Sequence, residues 1–140
     1  MHCQPHHKGQ VYIWLKNNQL CLLCGEASDT PLPICTPCES ELPWLGDTCQ
    51  ICALPLPING LTCGQCLKVP PAFTQVVAPW SYGFPIDSLI TRFKHSANWP
   101  YGHLMAELLV QSLHFRFSED LPRPCALIPV PLSRKRLRRR

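Results

Sequence analysis

Four Cys-x-x-Cys pairs, Cys21/Cys24, Cys35/Cys38, Cys49/Cys52 and Cys63/Cys66, each begin 14 residues after the one before. Two residues between cysteines let one tight turn aim both sulfurs at a common point, and two such turns supply the four thiolates of a tetrahedral metal site. Eight cysteines on this stride predict two sites. Gly25, after the first pair, and Gly64, inside the fourth, suit turns in which backbone N–H groups curl round sulfur, because glycine reaches positive φ without strain. Pairing the first turn with the second and the third with the fourth gives two small ribbons in series; first with third and second with fourth would interleave them. The serial arrangement is expected, since each ten-residue linker suits a β-hairpin or short turn.

Zinc, two ions per chain, is the expected occupant. Disulfides need an oxidising compartment, and the opening "MHCQPHHKGQVYIWLKNNQ" has neither a basic start nor the long apolar core of an export signal. Mononuclear iron or an iron–sulfur cluster would use the same thiolates and remains an alternative. Buried free cysteine is common in cores, but packing gives no reason for four pairs at one period. A site made wholly of cysteine leaves no open position for water, so it stabilises a fold and runs no reaction. Residues 21–66 hold few large apolar side chains, and metal binding is expected to supply the missing folding free energy.

Composition narrows the rest. The 140 residues, 46% of them hydrophobic, allow one ordinary domain or two small ones. Of the 16 prolines, eleven lie between Pro31 and Pro100, which favours short elements and fixed turns. No apolar run approaches the ~20 residues of a membrane helix, and the expected compartment is the cytoplasm. The net charge of +4 is unevenly spread: six of the 13 basic residues, Arg134, Lys135, Arg136, Arg138, Arg139 and Arg140, fall in the last seven positions. A phosphate-bearing partner would meet that end first, although an exposed charged tail accounts for the same run.

Past Cys66 the pattern changes. "AFTQVVAPWSYG" predicts a strand between Phe73 and Tyr82. "PIDSLITRFKH" places Ile86, Leu89, Ile90 and Phe93 at i, i+3, i+4 and i+7 of a short helix opened by Pro85. "YGHLMAELLVQSLHFRF" predicts a longer helix with Leu104, Met105, Leu108, Leu109 and Leu113 on its apolar face, and "CALIPVPL" a buried strand over Ala126 to Leu132 that makes Cys125 a small core residue. Strand, two helices and strand suggest the start of an α/β domain. Cys3, beside His2, His6 and His7, is read as part of a solvated terminus. Trp14, Trp44, Trp80 and Trp99 are scattered rather than interleaved with cations, so packing is expected of them before base stacking.

"CLLCG" with its three following pairs, "YGFPIDSLITRFKH" and "LIPVPLSRKRLRRR" together resemble the ComF-like competence proteins, over nearly everything from Cys21 to Arg140. The resemblance implies a small double zinc ribbon with four cysteines to each metal, followed by a phosphoribosyltransferase-like α/β domain, and an association with uptake of external DNA. It divides the chain into an N-terminal extension (1–20), the double ribbon (21–66) and the first part of the α/β domain with its basic tail (73–140). Lys94 matches a lysine of the family pattern, and a cation in the last helical turn is also what the macrodipole favours.

The family's later features, a Gly-Phe/Tyr-Asn-Gln segment and an acidic pair before a Thr-Gly-rich loop for phosphoribosyl diphosphate, have no counterpart here. The only adjacent acidic pair, Glu119-Asp120, runs into "LPRP". The expectation is a truncated or frameshifted member, or a fragment, with an incomplete α/β domain, an incomplete active site and no catalytic residue assigned; phosphoribosyl diphosphate would be a ligand only of a full-length relative. DNA or DNA-uptake proteins are the expected partners. The alternatives are a nucleic-acid-binding module that uses the basic tail and a protein-interaction adaptor.

Overall fold

The structure is a computed structural model that describes residues 19–58, 60–119 and 121–134. Among them are four helices, α1 (Thr36–Ser40), α2 (Gly64–Lys68), α3 (Ile86–Ser96) and α4 (Trp99–Glu119), and three isolated antiparallel bridges, Leu20 with Ala27, Thr48 with Pro55 and Trp44 with Trp80. No helix of these residues is long and apolar enough to cross a membrane.

The chain forms two compact units, 1–41 with 89–140, and 42–88. Each contains one pair of cysteine turns. In the first unit α4 buries Tyr101, Leu104 and Leu108, three positions on one helical stripe, and Leu89 of α3 and Ile34 are also buried. Glycine at 102 permits a close approach of the two helices: a Cβ there would stand 2.5 Å from the Phe93 ring. Beside it, Phe93 meets Trp99 edge-on at 6.0 Å, and the Arg92 guanidinium both donates to the Tyr101 hydroxyl (2.6 Å) and lies over its ring.

The second unit is built around Cys49, Cys63 and Cys66, with Ile51, Cys52 and Leu56 packed against them. Its flanks are clasped where 43–45 meets 79–81: Leu45 N–H donates to Pro79 C=O (2.8 Å), Ser81 N–H to Pro43 C=O (2.9 Å), and the Trp44 and Trp80 rings lie 5.5 Å apart.

The two expected strands do not form. Residues 73–82 are irregular apart from the bridge at Trp80. Residues 126–132 form no element and pair with nothing among the described residues, leaving Leu127, Ile128 and Val130 between 87% and 91% exposed and Cys125 exposed rather than in a core. A strand needs a neighbour to take its N–H and C=O groups, and prolines at 129 and 131 remove two donors from that stretch. The expected helices do form, because their apolar spacing is satisfied locally by one face.

Candidate metal centres

The sulfurs of Cys21, Cys24, Cys35 and Cys38 lie within 4.8 Å of one another, as do those of Cys49, Cys52, Cys63 and Cys66. The grouping is serial. Each centre joins two unlike turns. The first pair sits in a loop whose next residue is left-handed, Gly25 at φ +80° or Ala53 at φ +60°. The second pair opens a one-turn helix, with Cys35 or Cys63 at its N-cap and Cys38 or Cys66 inside it.

The two centres are copies 28 residues apart, down to individual hydrogen bonds. Gly25 N–H donates to Cys21 C=O (2.9 Å) as Ala53 N–H does to Cys49 C=O (3.0 Å). Cys21 N–H reaches Glu26 C=O (2.7 Å) and Cys49 N–H reaches Leu54 C=O (2.8 Å). Leu22 N–H to Pro33 C=O (2.9 Å) is repeated by Gln50 N–H to Leu61 C=O (3.1 Å), and Glu39 N–H to Cys35 C=O by Leu67 N–H to Cys63 C=O, both 3.0 Å. The bridges Leu20–Ala27 and Thr48–Pro55 hold to the same offset.

The turns prepare sulfur to carry charge. Burial alone would push the Cys21 thiol up, but the N–H groups of Cys24, Cys35 and Leu23, with the Cys24 thiol, overcome it and bring the group from 9.0 to about 6. At Cys49 the N–H groups of Cys52 and Cys63, the latter 3.3 Å from Sγ, outweigh burial and give the same value of about 6. The thiols that follow hold their protons: Cys38 is pushed well up, first by its contact with the Cys35 thiol, and Cys66 to about 12, first by burial and then by the thiols around it. The turns thus favour a thiolate at Cys21 and Cys49, and a divalent cation would draw protons off the thiols around them. Four converging thiolates with N–H donors to sulfur suit one zinc ion each, and all four positions around the metal would be filled.

Supports outside the cysteines differ. In the first ribbon the Ser28 and Thr30 hydroxyls lie within hydrogen-bond distance of the carbonyls of Leu32 (2.7 and 3.0 Å) and Ile34 (2.8 and 2.6 Å), each with one proton to donate between them, and the Asp29 carboxylate accepts from Thr36 N–H at 2.8 Å. That bond, followed by the Thr36 hydroxyl, holds the Asp29 carboxyl below its ordinary value. The second ribbon has Leu56 where the first has Ser28, and fills its interior with that side chain. Ser-x-Thr inside the linker between two cysteine turns was the legible signal for these hydroxyls, and the cysteine reading passed over it.

Of the other expected site residues, Arg134 is exposed, while Lys135, Arg136, Arg138, Arg139 and Arg140 lie outside the described residues. So do Cys3, its neighbouring histidines and Trp14.

A tandem of two modules, each a four-cysteine cluster built from a turn and a short helix, defines a double zinc ribbon, and residues 17–67 match the double zinc ribbon domain. The similarity runs further than the ribbons. The chain is 33% identical over 108 residues to the DNA utilization protein YhgH of Salmonella typhi and 32% identical to that of Escherichia coli K12, in each case over 76% of this chain and 48% of the relative. It is 30% identical over 136 residues to Competence protein F of Haemophilus influenzae, covering 96% of this chain and 52% of that protein. The chain belongs to the ComF-like family, and it spans about half the length of the relatives it matches. No solved structure matches it.

Proposed function

We propose that the protein serves natural competence and the uptake of external DNA, from the cytoplasmic side. The observation that carries this is the continuity of the similarity: it extends from the two four-cysteine centres through α3 and α4 to relatives named for competence and DNA utilization. In this reading 21–66 is one domain, a zinc-dependent scaffold, and 73–140 is the opening part of a phosphoribosyltransferase-like α/β domain, preceded by an extension over 1–20. The eight cysteines hold two zinc ions as structural metal, and no residue is given a catalytic role. The ribbons' work is to fix turns that the apolar content of 21–66 would not hold unaided.

Deletion of the gene in its host should lower recovery of a marker from added double-stranded DNA. The wild-type gene should restore it, and a Cys21→Ser/Cys49→Ser double variant should not. Unchanged recovery in the deletion strain would remove the proposal.

A second reading rests on the charge asymmetry. With Arg134, Lys135, Arg136, Arg138, Arg139 and Arg140 in the last seven positions, the tail would contact phosphates without sequence preference. Affinity for duplex DNA would then fall linearly with salt in log–log form and vanish on deleting 134–140. Binding that survives the deletion would place the contact elsewhere.

A further inference from the structure

The two ribbons are copies in backbone but not in surface. Residues 19–41 of the first carry four charged side chains, all acidic: Glu26, Asp29, Glu39 and Glu41. At the offset of 28 residues the second ribbon has Leu54, Pro57, Leu67 and Val69 in their places, and the whole matching stretch, 47–69, holds only Asp47 and Lys68, whose charges cancel. Glu26, Asp29 and Glu41 are exposed, and so are Leu54, Leu67 and Val69. Large apolar side chains thus stand in water where the copy has carboxylates.

Within the second unit the backbone gathers three exposed apolar residues round one cysteine turn. Cys49 N–H donates to Leu54 C=O (2.8 Å), Gln50 N–H donates to Leu61 C=O (3.1 Å), and Val76 N–H donates to Ile51 C=O (2.8 Å). Three successive residues of the turn therefore each hold one of them, and Leu54, Leu61 and Val76 are still 52%, 48% and 39% exposed. In the first ribbon the equivalents of Leu54 and Leu61 are Glu26 and a half-buried proline, Pro33. An apolar patch gathered on a near-neutral surface marks an interaction site rather than a solvated face.

Charge decides which partner fits. A two-fold contact sets a face against its own copy, so a face of one charge repels itself and a neutral apolar face does not. The first ribbon, with its four carboxylates, fails that condition, as does the run of six cations in 134–140. The second ribbon meets it. A nucleic acid or an anionic lipid surface needs cations, and Lys68 is the only lysine or arginine from 42 to 88.

We propose that the second ribbon is a self-association surface, through which two copies of the chain pair about a two-fold axis by the apolar patch at Leu54, Leu61 and Val76. This pairing stands independently of a role in DNA uptake.

Sedimentation equilibrium of the zinc-loaded full chain tests it. The chain should pass from monomer to dimer between about 1 and 200 μM, as a small non-obligate contact does, and added salt should not weaken the dimer, because no opposed charges hold it. Leu54→Glu gives the second ribbon the residue that the first carries at the equivalent position. The variant should keep both zinc ions while the dissociation constant rises about tenfold or more, since pairing would bury a carboxylate from each copy. If it loses zinc, Leu61→Ser with Val76→Thr, which takes apolar area from the patch without adding charge, gives the same readout. Ile128→Glu, in the exposed apolar stretch of the other unit, should leave the dimer as it is. A chain still monomeric at about 200 μM, a dimer that salt dissolves, a dimer that survives Leu54→Glu, or one lost in Ile128→Glu would each overturn the proposal. So would a monomer that floats with vesicles of neutral phosphatidylcholine, which would set lipid rather than a second copy against this face.

Discussion

The two ribbons share one backbone and one hydrogen-bond pattern, yet they are finished differently. In the first, Cys24 is exposed and Cys38 half-buried, and hydroxyls hold the linker. In the second, three of the four cysteines are buried, and Leu56 packs where Ser28 stands in the copy. The difference teaches that cysteine spacing fixes the turns, while the linker residues decide how far the sulfurs are shielded. They also decide how the turn after each first pair is tolerated. Gly25 takes its positive φ freely, and a Cβ there would meet nothing within 4 Å. Ala53 adopts the same region at a steric cost of ~1 kcal/mol, but its methyl group is buried, which offsets a similar amount.

The comparison breaks most severely if the two centres are not separate. Cys21→Ser should remove one zinc and the exchange protection of its own ribbon, and Cys49→Ser should do the same at the other, because apparent binding free energies of ~10 kcal/mol or more stand behind each closed site. Mass spectrometry under native conditions with amide exchange reads both; loss of both ions from either single variant would show one cooperative centre. A smaller effect separates the sites in rate. A competing chelator with a thiol-alkylating reagent should open the first centre before the second, with Cys24 labelled early, since its sulfur alone of the eight belongs to an exposed residue. Equal labelling of the two quartets would contradict the difference in shielding.

Backbone changes come next. Gly25→Ala should destabilise the zinc-loaded chain by ~1 kcal/mol, strain with no compensating contact, whereas Ala53→Gly should stay within ~0.5 kcal/mol because relief of strain and loss of the buried methyl nearly cancel. Chemical denaturation distinguishes the two, and equal effects would mean that the turns are not equivalent. The smallest expected signal is protonic. Cys21 and Cys49 lie at about 6 in the metal-free fold, below their ordinary 9.0, so at pH 7 each is already mostly thiolate. Zinc binding at pH 7 should therefore release fewer than four protons per ion, and the metal should be lost as the pH falls, because protons compete for sulfur. Calorimetry in buffers of different ionisation enthalpy counts the protons; four per zinc would deny the turns their hold on sulfur.

What the sequence makes legible is what is local. Cys-x-x-Cys places two sulfurs within one turn, so the eight ligands can be read without a fold, and the i, i+3, i+4 spacing of Ile86, Leu89 and Ile90 announces α3 because a helix satisfies its own backbone. The strands at 73–82 and 126–132 are not local. "ALIPVPL" has the composition of a buried strand, but composition does not provide a neighbour, and Ile128 at 91% exposure shows the same residues without one. The groove of the first unit lined by Gln19, Pro33 and Trp99 was hidden for a related reason: those residues are far apart in sequence, and no spacing rule joins them.

The central claim is that eight thiolates make two closed structural centres in tandem, and metal content measures it most directly. Protein purified from metal-replete cells without chelator, analysed by inductively coupled plasma mass spectrometry against amino-acid quantitation, should carry two zinc ions per chain and lack the visible charge-transfer absorption of iron–thiolate sites. One zinc per chain, or iron with that absorption, would contradict it.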